Sequence, residues 1–329
     1  MKRYTSRRQG MEHPDDRLRL MFRCCHPALE REDQIALTLH TLGGLTAAEI
    51  ARAFLLPAPM LAQRLERAKC QIEEGHIPDE PLNFAERLPS VQAVIYLVFN
   101  EGYLATFGDE PVRRGLSAEA LRLGRALCEL LPNEPESLGL LALMLLQDSR
   151  RMARVRNQRL VTLEEQDRSL WDQGEIAEGL DLVEVAPRCG PVGPYQLQAA
   201  IAALHAQAKT PDDTDWRQIS VLYEKLLELD PSPVIALNQA VAVAMAEGYE
   251  EGLKRIDVIA SSEALETYHL FYAARADLLR RLNRFHEAAS AYRRALALAT
   301  NRSELDFLAR RLKQVEAMMA EENLNSAGD

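Results

Sequence analysis

The chain has 329 residues, 47% of them apolar, and a formal net charge of −10. It is long enough for two or three domains, and an acidic majority excludes a protein that coats nucleic acid along its whole length. No apolar run approaches the roughly 20 residues of a membrane span, and Met1-Lys2-Arg3 leads into polar sequence without an apolar h-region, so a membrane helix and a secretory signal are excluded and a soluble, cytoplasmic, all-helical protein is expected.

Residues 1–14 are polar, basic and aperiodic and read as a leader or linker remnant. From Asp15, Leu18, Met21, Phe22 and Cys25 fall at helical spacing up to the break at Pro27, and a second helix with Ile35, Leu37, Leu39 and Leu42 runs from Arg31 to the stop at Gly43-Gly44. The five cysteines, Cys24, Cys25, Cys70, Cys128 and Cys189, lack the paired spacing of a zinc site or a disulfide framework. Cys24-Cys25-His26 invites a metal reading, but adjacent ligands without a second cluster are poor chelation geometry. Buried helical thiols are expected there, with no metal and no cofactor.

The stretch Thr46 to Ile72, TAAEIARAFLLPAPMLAQRLERAKCQI, reads as two short helices joined at Pro57 and Pro59. In the first, Thr46 and Glu49 have the sequence form of a capping box, and Ala47, Ile50, Ala51 and Phe54 share an apolar face. In the second, Leu61, Leu65, Ala68 and Ile72 make a buried stripe, with Met60, Gln63, Arg64 and Arg67 on the other side. Gln and Arg can pair with base edges, and Lys69 and the arginines can neutralise phosphates. The pattern is that of a helix-turn-helix, although two amphipathic helices at a proline turn also occur as plain packing units.

Together with the preceding helix, IALTLHTLGGLTAAEIARAFLLPAPMLAQRLERAK resembles region four of an extracytoplasmic-function (sigma-24-like) RNA polymerase sigma factor, aligning through the turn proline and the run Arg64, Leu65, Arg67, Ala68, Lys69. DDRLRLMFRCCHPAL and the long helical remainder resemble the subgroup with a tetratricopeptide-like C-terminal extension. The resemblance implies promoter contact by Met60, Gln63, Arg64, Arg67 and Lys69, docking on the β-subunit flap of core polymerase, and regulation by the extension. It also implies a region two, for which the stretch before Asp15 is too short, so a fragment or truncated form unable to initiate alone is expected. Departures from the family pattern are Leu55 where a turn glycine is frequent, Met60 where small or hydroxyl residues are frequent, and Glu66, Glu73 and Glu74 close to the DNA side. These carboxylates predict weak DNA binding by the isolated chain.

The charge divides accordingly: residues 1–78 hold 12 basic and 10 acidic side chains, and the remainder 27 and 39. Nucleic-acid contact is thus confined to the first unit, taken as residues 15–76. A linker at 77–89, with Pro78 and Pro81, precedes a helical extension over 90–210. There Val91 to Ala105 is apolar nearly all round, Ser117 caps a helix ending at Pro132, and Glu136 to Met152 is leucine-rich. The cluster Arg151, Arg154, Arg156 and Arg159 is expected to pair with carboxylates. Glu165, Asp167, Asp172, His205 and Asp215 invite a catalytic reading, but no nucleophile elbow, phosphate loop or metal-spaced triad accompanies them, and no enzyme is expected.

Over 211–320 a period of 34 and 35 residues relates Tyr223, Asp257 and Tyr292, and likewise Leu226, Ala260 and Ala295, while Gly248 and Asn283 each precede a helix. That period resembles the tetratricopeptide repeat, with a capping helix over Ser303 to Ala320 and a frayed tail at 321–329. Its concave face would take a protein partner or fold back on preceding helices. The expected function is promoter recognition as part of a sigma factor; the competing one is a tetratricopeptide-like scaffold whose helix-turn-helix no longer binds DNA.

Overall fold

The computed structural model describes residues 20–26, 28–42, 44–53, 56–73, 84–103, 114–156 and 159–326. The expectations for residues 1–14, Leu18, Phe54, Leu55 and the first part of the linker lie outside these residues. Helical segments dominate, as the spacing of the apolar residues demands: α1 (residues 20–24), α2 (Arg31–Thr41), α3 (Ala47–Ala53), α4 (Ala58–Glu73), α5 (Phe84–Tyr103), α6 (Arg114–Leu130) and α7 (Pro135–Asp148) come first. After them a two-stranded antiparallel ribbon, β1 (Val155–Arg156) and β2 (Arg159–Leu160), pairs Val155 with Leu160. The remaining helices are α8 (Gln173–Cys189), α9 (Pro194–Gln207), α10 (Trp216–Leu229), α11 (Pro233–Glu247), α12 (Tyr249–Ile259), α13 (Glu263–Glu266), α14 (His269–Arg281), α15 (Phe285–Leu298) and α16 (Arg302–Ser326). Among the described residues no helix is long and apolar enough to cross a membrane.

One apolar core begins with Met21 and Phe22 of α1, takes in Leu39, Ile50, Leu61 and Leu65, and continues without a break through Val98 of α5 and Leu127 of α6 to Leu145 of α7. The chain from Phe84 to Pro89, expected as linker, is helical, and Pro89, the sixth residue of α5, forgoes the bond that its N–H would make to the Ala85 carbonyl. Ser117, expected as a cap, lies inside α6 and is buried. Its backbone packs on Gly102 of α5, where any Cβ would collide with it, so the close crossing of α5 and α6 rests on the glycine.

From α7 onward, helices pair with their sequence neighbours, α7 with α8, α9 with α10, α11 with α12 and α14 with α15, and each pair leans on the next, with α16 closing the row. Small apolar clusters bridge successive pairs, such as Ile201, Ile219 and Ala242. A second large core, with Leu237, Ile256, Leu279 and Tyr292, serves the C-terminal end. Gly248 (φ +119°) and Asn283 (φ +59°) occupy equivalent turns, and these are residue types that tolerate positive φ.

The repeat is phased differently from the 34- and 35-residue spacing in its middle member. Helices α10, α12 and α15 begin at Trp216, Tyr249 and Phe285. Counting from those aromatic starts, Tyr223 and Tyr292 correspond to Ile256, fully buried, and Asp257 and Ala260 are exposed. The period is thus 33 then 36 residues, and the sequence comparison failed because α12 is short and carries its buried residue one place earlier. Close packing of this member depends on Gly252: a Cβ there would stand 2.7 Å from the Ala240 carbonyl oxygen of α11. Gly252→Val is expected to cost about 2 kcal/mol by overpacking, read as a lowered urea midpoint with unchanged slope.

The described residues of 149–156 and 159–172 form a strap that reaches α14 and α16 and includes the β ribbon and two 3-10 turns, Leu163–Glu165 and Arg168–Leu170. Glu164 pairs with Arg281 of α14 at 2.7 Å and Glu165 with Arg311 of α16 at 2.9 Å. Through these two ion pairs a segment that precedes the C-terminal helices in sequence packs against them.

Candidate nucleic-acid interface

The α3 helix starts with the Ile50 N–H on the Thr46 carbonyl at 3.0 Å. Across the turn, the Leu56 N–H reaches back to the Ala51 carbonyl at 2.9 Å, and α4 opens with the Leu61 N–H on the Pro57 carbonyl at 3.2 Å. Pro57 and Pro59 fit here because the first N–H groups of a helix have no intrahelical acceptor. Leu61, Leu65 and Ala68 are 2%, 3% and 1% exposed and seat α4 on α2 and α3. Ile72 continues the stripe, partly buried. Buried Ala51 offers little bulk at the crossing.

On the outer side Met60 (48% exposed), Gln63 and Arg67 open to solvent, uncovered by the C-terminal helices. Among the described residues Arg67 makes no ion pair. Arg64 behaves differently: its Nε donates to Asp33 Oδ1 at 2.7 Å, and Glu30 and Glu32 stand 3.8 and 3.9 Å from its Nη2. Three residues along a helix is a turn of about 300°, which leaves Arg64 some 60° from Leu61. It is a boundary position, drawn onto α2 by the acids of that helix's first turn. Lys69 flanks the stripe on its other edge, 3.3 Å from His40 Nε2 and 3.4 Å from Glu66 Oε1. Of the five expected contact residues, the structure gathers Met60, Gln63 and Arg67 on one open face and holds Arg64 and Lys69 at its margins.

The remaining polar candidates have structural partners. Asp172 accepts from the Gly174 and Glu175 N–H groups at the start of α8, Asp215 from Gln218 N–H at the start of α10, and Asp167 from Ser169 N–H. Glu165 holds the strap, as described. His205 lies edge-on to Trp216 at 5.1 Å. In the basic cluster Arg151 pairs with Asp148, Asp172 and Glu175 at 3.1, 3.0 and 2.5 Å, whereas Arg154 stacks on the Tyr103 ring at 3.5 Å and Arg156 is exposed. The side chain of Arg159 is outside the described residues. Cys24 and Cys25 are buried in the core, with thiols pushed up to about 12 by burial, so they are packing residues and poor thiolate ligands.

Two contributors escaped the sequence reading. Asp33, which fixes Arg64, is legible only as an acid at a helix start. Arg122 of α6 donates to the Leu42 carbonyl at 2.7 Å, tying the extension to the end of α2, and nothing in its local pattern signals this.

Compared with known proteins, residues 19–72 match the model of "Sigma-70, region 4", and residues 87–187 match a "Family of unknown function (DUF6596)". An uncharacterized protein of Rhizobium meliloti (strain 1021), R00370, is 47% identical over 317 residues, which span 95% of this chain and 74% of that protein. The first match ends with the open helix α4, and the second takes in α5 to α7 and the strap. With nearly the whole length aligned at that identity, the chain belongs to the family of the Rhizobium protein, and its helix-turn-helix lies within the segment that is similar to sigma-70 region 4.

Proposed function

We propose that the chain supplies promoter recognition and polymerase docking as part of a sigma factor of the extracytoplasmic-function subgroup, in the cytoplasm, with its tetratricopeptide-like extension as the regulatory part. The observation that carries this reading is the open face of Met60, Gln63 and Arg67 on a helix whose opposite side is anchored by Leu61, Leu65 and Ala68. Gln63 and Arg67 have the donors to read base edges in a major groove, and Lys69 lies close enough to the same face to meet a phosphate. Arg64 would join them only by leaving Asp33. Docking on the β-subunit flap and a protein partner for the extension follow from the resemblance. The role assigned is one of binding, not catalysis.

The test is promoter binding in polymerase reconstituted with the full chain. Arg67→Ala is expected to weaken the promoter complex about tenfold or more, in line with roughly 1–3 kcal/mol for a base contact. Removing a cationic contact should also make the salt dependence shallower. Unchanged affinity and slope in both Arg67→Ala and Gln63→Ala would instead favour the scaffold reading. That second reading has its own support in Arg64 and Lys69, whose cations are already engaged within the protein.

A further inference from the structure

Between the strap, the end of α7 and the starts of α14 and α16 lies a cavity of about 310 Å³, within the size range of small-molecule sites. Buried polar atoms without a hydrogen bond gather on its walls: Arg150 Nε, Arg154 Nη1, Thr162 Oγ1 and Gln166 Oε1. Groups of this kind are satisfied in nearly all native interiors. Both arginines are fixed on Tyr103, Arg150 by donating from Nη2 to its hydroxyl at 2.8 Å and Arg154 by stacking on the ring. Neither reaches a carboxylate within ion-pair distance among the described residues, although the field of Asp148 acts on Arg154.

Burial holds the Arg154 guanidinium below its ordinary range. Arg168 stands near enough to Arg150 to feel its charge and is likewise depressed, chiefly by burial. Its Nη1 donates to the carbonyls of His205 and Ala208 at 2.6 and 2.7 Å, while its Nε is unsatisfied. Placing unpaired cations away from water is costly, and a bound anion offsets that cost. The cavity is also larger than an inorganic oxyanion needs, and Leu160, Leu163, Leu270 and Phe307 give it an apolar side. Glu304, 3.1 Å from His269 Nε2, lines it as well.

We infer that this cavity binds a small organic anion, with a carboxylate or phosphate head on Arg150 and Arg154 and an apolar body against Leu270 and Phe307. Arg150 and Arg154 lie at the start of the strap and Thr162 and Gln166 farther along it, whereas Leu270 and Phe307 belong to α14 and α16. A ligand here therefore joins the strap to α14 and α16, which makes the extension a receptor for a metabolite-sized effector. The inference does not depend on the promoter reading.

Calorimetric titration of the full chain with phenyl phosphate and with phenylacetate, at fixed ionic strength, tests it. Inorganic phosphate and acetate serve as head-only controls. Expected is one equivalent of an aromatic probe bound at least tenfold more tightly than its head alone, the better probe identifying the head as phosphate or carboxylate. Arg150→Gln and Leu270→Trp should each weaken it tenfold or more, while the exposed neighbour substitution Arg156→Ala leaves it unchanged. Leu270 is partly exposed at the start of α14, so its variant keeps the test decisive if Arg150→Gln does not fold. Absence of binding by both aromatic probes, equal binding of the bare heads, or binding that survives in the folded variants would overturn the assignment.

Discussion

Leu65→Asp is expected to dismantle the N-terminal helices, at a cost of about 4 kcal/mol or more. Leu65 is 3% exposed, in contact with the core that α1 to α7 share, and the substitution removes a well-packed side chain while burying a carboxylate without a partner. Because domains are stable by only roughly 5–15 kcal/mol, urea unfolding should begin at far lower denaturant and circular dichroism should show lost helix at 37 °C. Gln63→Ala, two residues away on the open face, should change stability by no more than about 0.5 kcal/mol. A Leu65→Asp chain as stable as the parent would mean that α4 presents its leucines outward, which removes the basis for any groove contact by Gln63 and Arg67.

The second large effect is acid sensitivity at His205. Burial, reinforced by the charges of Arg150 and Arg168, pulls this imidazole down to about 4. The unfolded chain protonates near its ordinary value of about 6.5. Between those values the unfolded state holds more protons, so His205 contributes stability above pH ~6.5 and that contribution is lost as pH falls toward 4, by up to about 3 kcal/mol. His205→Phe keeps the edge contact with Trp216 and deletes the buried Nδ1 that lacks a hydrogen bond. Urea midpoints of parent and variant at pH 7 and pH 4.5 should show a smaller acid loss in the variant, since carboxylate titration is common to both. Equal losses would mean that the ring is hydrated in the native state.

How much of this was legible follows from what local pattern encodes. The stripe Leu61, Leu65, Ala68 was readable because one helix periodicity determines it, and so was the burial of Cys24 and Cys25. Arg64 was read as facing outward because the pattern marks it as polar; its neighbour Asp33, 31 residues away, decides where the guanidinium goes. Ser117 resembles a cap until the backbone of Gly102 is brought against it. Asp172 and Asp215 invite a catalytic reading as isolated polar residues, and their role as helix caps is the commoner use of an aspartate before a helix. The middle repeat was misphased by one residue because a degenerate period preserves the aromatic helix starts Trp216, Tyr249 and Phe285 better than it preserves the interior positions. The strap was least legible of all: its ribbon is two residues per strand, and what holds it, Arg281 and Arg311, comes from more than a hundred residues downstream.

The unbroken core from α1 to α7 has a bearing on how the two ends of the molecule communicate. Since Leu39, Leu65, Val98 and Leu127 line one interior, the helix-turn-helix is not cargo on a tether but the front wall of a single block. Expressing the helices before residue 74 apart from α5 to α7 would bare parts of this shared interior to water and yield two sticky halves. Whatever tightens α5 to α7 would then be felt at α4 through the interior walls they share.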